Sequence, residues 1–126
     1  MRKKVILLAL VASLAGCAAP IMNVENAPVT SVSNHNLSAS QVRDAIVRAG
    51  AGLGWQMKDV APNLLQGTLH LRTHVAVVDI PYSAKEYSIL YKSSVNLNAA
   101  DGKIHKNYNG WITNLKNGIN NQLAIY

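Results

Sequence analysis

Residues 1–17 constrain this chain before the rest is read. Met1 is followed by three cations, Arg2, Lys3 and Lys4, and then by an uncharged, largely apolar run from Val5 to Leu14. The run ends in Ala15, Gly16 and the single cysteine of the chain, Cys17. A basic start, a short apolar core and small residues before a cleavage point describe a secretory signal peptide. The apolar run is about ten residues, half of the roughly 20 that a membrane-spanning helix needs. Such a leader is expected to be removed, and the remainder of the 126 residues is enough for one domain.

Leu14-Ala15-Gly16-Cys17 resembles the lipobox of bacterial lipoprotein precursors at every position. The resemblance implies cleavage before Cys17, diacylglycerol on its sulfur and an acyl chain such as palmitate on the new amino terminus. The partner of Cys17 would then be a membrane, held with about 0.8 kcal/mol per buried methylene. In such families an aspartate after the modified cysteine commonly retains the protein at the inner membrane. Ala18 stands there in this chain. The implied address is the outer membrane, facing the periplasm.

Charge and cysteine content narrow the remaining classes. Loss of Arg2, Lys3 and Lys4 leaves nine cations against six acids, a net of +3, with no run that would track a phosphate backbone. No nucleic-acid partner is expected. A single cysteine excludes an intrachain disulfide.

Residues 18–37 carry two Ala-Pro pairs and several Asn and Ser without a helical period, and are expected to form a flexible tether behind the lipidated cysteine. The folded domain is expected over 38–126. It opens on Ser38-Ala39-Ser40-Gln41, which has capping-box form, and Val42, Ala45, Ile46 and Ala49 then recur at helical spacing. Gly50, Gly52 and Gly54 end that helix. They follow a helix and lack the G-x-G-x-x-G spacing, so they do not read as a nucleotide loop.

Four segments of strand character come next, at 55–60, 66–72, 74–80 and 87–93. Apolar parity changes between Leu69 and Leu71 on one side and Ala76, Val78 and Ile80 on the other, so a tight hairpin or a bulge is needed near Arg72-Thr73. Tyr108, Trp111, Ile112, Leu115, Ile119 and Leu123 mark a closing amphipathic helix. The predicted fold is α+β: a helix, a four-stranded antiparallel meander and a helix, with both helices on one face and the other face open.

No catalytic residue, metal site or cofactor is expected. His70 and His74, imagined with Asp79 and His105 as ligands, lie about 13 Å apart on one continuous strand. A three-residue hairpin would bring the two histidines opposite each other, which still places only two ligands. Ser93, Ser94, Asp101 and His105 offer the letters of a hydrolytic triad without a G-x-S-x-G elbow. The chain is accordingly read as a non-enzymatic envelope lipoprotein that serves as a protein-interaction module. The alternative is a module that binds cell-wall glycan or peptide. Tyr87, Ile89 and Tyr91 share one face of their strand, with Arg72 and Lys92 near in sequence, and form the candidate binding surface. The same tyrosines also suit a core beneath a helix, and the two readings stand side by side. Gly110, early in the closing helix, asks for close packing or a ligand contact.

Overall fold

The computed structural model describes residues 17–126, so the signal-peptide assignment of 1–16 lies outside the described residues. The elements in order are β1 (Ala18–Pro20), β2 (Val24–Pro28), α1 (Ala39–Gly52), β3 (Trp55–Ala61), β4 (Leu64–Leu71), β5 (His74–Pro81), β6 (Glu86–Val95), β7 (Lys103–His105) and α2 (Lys106–Ala124). No helix among the described residues is long and apolar enough to cross a membrane.

Local chemistry fixes the ends of α1. Ser38 Oγ accepts from the Gln41 N–H at 3.1 Å, and Gln41 Oε1 accepts from the Ser38 N–H at 2.9 Å, closing the capping box. The helix stops at Gly52, and Gly54 follows at φ +88° in the left-handed region. Its stripe of Val42, Ala45, Ile46 and Ala49 is buried.

The first two links of the meander are two-residue turns, and the third, from β5 to β6, is the four residues 82–85. Pro62-Asn63 joins β3 to β4, with Asn63 at φ 57°. Arg72-Thr73 joins β4 to β5, pairing Leu71 with His74, Leu69 with Ala76 and Leu65 with Ile80. This hairpin resolves the parity change, because both apolar sets then point to one side. It does so with Arg72 at φ 56°, a conformation that disfavours a side chain bearing Cβ. A bulge in β6 skips Lys92, so that Val78 meets Tyr91 while Val77 meets Ser93.

Two expectations require correction. The sheet has five strands, in the order β2-β6-β5-β4-β3, and β1 pairs with β7 in a separate two-stranded ladder. The segment read as a flexible tether supplies β1 and β2 and packs on the domain as far as Val29 and again at Leu37, with residues 32–36 exposed between them. Val24, Ala27 and Leu37 are buried in the core, Val29 donates to the Lys85 carbonyl at 2.8 Å and Val32 to the Ala124 carbonyl at 3.1 Å. The physical reason is that β6 had an unpaired edge, and a polar stretch with apolar residues only at 24 and 27 suffices to cover it. A bulge with Asn26 at φ 53° brings both onto the same side, and the Asn26 N–H donates to Ser88 Oγ at 2.9 Å.

One core joins the inward residues of the sheet to the apolar stripes of both helices. Trp55, Leu65, Leu69, Ala76, Val78, Ile80, Tyr87 and Ile89 meet Val42, Ile46, Ile112, Leu115, Ile119 and Leu123 there. A Cβ at Gly67 would lie 3.0 Å from Met57 Sδ, so that glycine leaves the space Met57 occupies. Arg43 of α1 straps the edge strand β3, with Nε 2.9 Å and Nη2 2.6 Å from the two carboxylate oxygens of Asp59. This pairing holds the Asp59 carboxyl below the usual carboxylate range.

Candidate functional site

Cys17 is exposed and unpaired, and it leads directly into β1. Its carbonyl accepts from the Lys106 N–H at 3.1 Å, and Asn98 and His105 lie beside it. The polar entrance of α2 explains how this corner is held. His105 Nδ1 accepts from the Asn107 N–H at 3.2 Å and caps the helix. Asn109 clamps the link from β1 to β2, accepting from the Met22 N–H at 3.0 Å and donating to the Pro20 carbonyl at 2.8 Å. Ile21 donates to the Gly102 carbonyl at 2.9 Å. No slack separates the cysteine from the folded body.

The five residues proposed as a binding surface are not one surface. Tyr87 and Ile89 are 1% and 0% exposed, and they face α2. The Tyr87 hydroxyl donates to Asn120 Oδ1 at 2.6 Å, and burial pushes its phenol up to about 12. Tyr91 is half-buried, edge-on to Tyr108 with ring centroids 5.6 Å apart, and its hydroxyl bonds Ser94 Oγ at 2.9 Å. Arg72 sits at the tip of the β4–β5 hairpin. Lys92, exposed at the bulge, places Nζ 3.7 Å from Asp79 Oδ2.

Alternation correctly groups Tyr87, Ile89 and Tyr91, but the face they share is the covered one. The signal lay in the neighbouring strand: Tyr91 pairs with Val78, which shares its face with Ala76 and Ile80. The helices take the face with the larger apolar residues, and Leu90, Val75 and Val77 are left half-buried on the other. Trp55 is buried, and Trp111 packs partly buried against the core, 6.3 Å from the His74 ring.

Other sequence candidates are engaged separately. His70 pairs across the ladder with Val75 and is exposed, while His74 Nδ1 lies 2.7 Å from the Asn96 carbonyl. Ser94 bonds Tyr91 and His105 caps α2, so each is engaged with another partner. Among the described residues no group of three His, Cys, Asp or Glu is placed to hold a metal ion. Gly110 meets nothing within 4 Å of where a Cβ would stand, so close packing does not account for it.

Sequence reasoning missed a cleft. It opens between β2, at the edge of the sheet, and α2, with a volume of about 540 Å³. Val24 and Ala27 form an apolar floor, while Asn26, Glu25, Lys116 and Asn120 supply polar groups. Asn23 also lines it, with Oδ1 accepting from the Tyr91 N–H at 2.8 Å. The signal was hidden because eight of its ten lining residues come from the segment read as a tether. No family model, curated protein or solved structure matches this chain.

Proposed function

We propose that this chain is a bacterial envelope lipoprotein, anchored through acyl groups on Cys17 to the outer membrane and facing the periplasm, where it acts as a non-enzymatic interaction module. The observation that carries this reading is the position of Cys17: exposed at the end of the lipobox, and joined through its own carbonyl to the first residue of α2. An exposed Sγ is open to acylation. A junction this short would hold the domain flush with the bilayer, with the β1–β7 ladder and the 96–102 loop toward the headgroups. Lys103 and Lys106 lie on that side and suit anionic headgroups. The cell-wall glycan reading loses support, because Tyr87 is buried beneath α2 and Tyr91 is half-buried against Tyr108.

Mass spectrometry of protein extracted from membranes tests the anchor. The expected amino-terminal peptide begins at Cys17 and carries a diacylglyceryl group and an amide-linked acyl chain. An unmodified Cys17, or a different amino terminus, contradicts the reading. Cys17→Ser is expected to leave an unprocessed precursor.

A further inference from the structure

We propose that the cleft between β2 and α2 is a docking site for a short, extended, acidic peptide whose carboxylate is held by Lys116 and Asn120. The inference rests on the reading of the domain as an interaction module and names its site and partner class.

Lys116 and Asn120 are four residues apart on α2, so both project from one face, one turn apart. The Asn120 side chain is oriented from below, because its Oδ1 accepts the buried Tyr87 hydroxyl at 2.6 Å. That leaves the Asn120 NH₂ as the group free to meet a ligand, and it is a donor. Among the described residues Lys116 makes no ion pair. An ammonium and a positioned amide donor one turn apart match the two oxygens of one carboxylate.

The opposite wall is a strand edge. β2 has one neighbour in the sheet, β6, so its other side is open to an added backbone. The left-handed Asn26 and the N–H-less Pro28 interrupt that edge. Such interruptions oppose the continuous pairing that two copies of β2 would need, and leave room for a short segment only. A volume of about 540 Å³ is within the usual range of ligand sites. No aromatic ring lines the cleft among the described residues, which removes the usual stacking platform for a sugar. Glu25 also lines the cleft and disfavours carboxylates away from Lys116. The net charge of +3 on residues 17–126 favours the approach of an acidic partner.

The test pans a phage-displayed library of random 12-residue peptides against the full chain purified in detergent, then measures the enriched peptides as synthetic ligands. The expected peptides carry Asp or Glu. Their affinity should fall at least tenfold in Lys116→Met and in Asn120→Asp, and stay within twofold in Lys58→Met, an exposed lysine of β3 outside the cleft. Asn120→Asp keeps the acceptor for Tyr87, so the fold should survive it, while it removes the donor and sets a negative charge against the ligand carboxylate. On the unaltered chain, the bound peptide should slow amide exchange across residues 24–27. Failure to enrich any peptide, an affinity indifferent to both cleft substitutions, or protection confined to another region overturns the proposal. Because binding is read away from any membrane, these outcomes are independent of whether Cys17 is acylated.

Discussion

The Tyr87 hydroxyl donates to Asn120 Oδ1 at 2.6 Å, joining the buried face of β6 to α2 beside the cleft. One side chain thus closes the core and fixes the orientation of an amide on the surface. Tyr87→Ala is expected to destabilise by about 3–5 kcal/mol, as truncation of a buried aromatic does. Tyr87→Phe keeps the packing and loses the hydrogen bond, at about 1 kcal/mol. Urea denaturation of the two variants checks both values; a cost below about 1 kcal/mol for Tyr87→Ala would return this residue to the surface.

The same tyrosine gives a pH dependence with a definite sign. Its phenol is held up to about 12, against 10.0 ordinarily, so above pH 10 the unfolded chain releases the proton first. The stability linked to this group is intact below pH 10 and is lost as pH rises from there through about 12. Burial pushes Tyr108 up as well and steepens the loss. Tyr87→Phe is expected to flatten the decline between pH 10 and 12 in urea denaturation. An unchanged slope would mean that the phenol is open to solvent.

How far the fold could be read in advance differs between regions. The capping box at Ser38, the stripe from Val42 to Ala49 and the four meander strands follow from local patterns, because each element carries its own period and its own stop. The hairpin at Arg72-Thr73 was legible only as a change of parity, since its turn uses an arginine in a left-handed conformation in place of glycine or asparagine. β2 was illegible because an edge strand needs few apolar residues: Val24 and Ala27 pack inward only after the bulge at Asn26, which no alternation reveals. With β2 unseen, the cleft was unseen too.

Residues 18–37 should therefore be required for folding. Burying Val24 and Leu37 contributes about 1.5–3 kcal/mol each, before the ladder to β6 is counted. Such a loss is a large fraction of a small domain's stability. A chain beginning at Ser38 is expected to melt at least about 15 °C below the one beginning at Cys17, or to lose its cooperative transition. Equal midpoints in calorimetry would show that the segment adds nothing.

Two backbone positions offer stabilisation. Gly110 is inside α2 with open space around it, and Gly110→Ala is expected to gain up to about 1 kcal/mol. Arg72→Gly should relieve the left-handed turn and gain roughly 0.5–1 kcal/mol. Thermal midpoints check both, and a fall at Gly110→Ala would point to a contact at that surface.

The close junction between Cys17 and the domain is most directly tested by measuring depth in the membrane. With Cys17 acylated, an introduced cysteine is the only free thiol and takes a fluorophore selectively. Ala99→Cys places the label in the loop beside Asn98, near Cys17, and Lys85→Cys places it next to the opposite end of β6. Strand β6 spans on the order of 30 Å between those ends. In vesicles carrying headgroup nitroxides, strong quenching at 99 and weak quenching at 85 is the expected result. Equal quenching at both sites, or none at either, would mean that the domain swings free of the bilayer or is not anchored there.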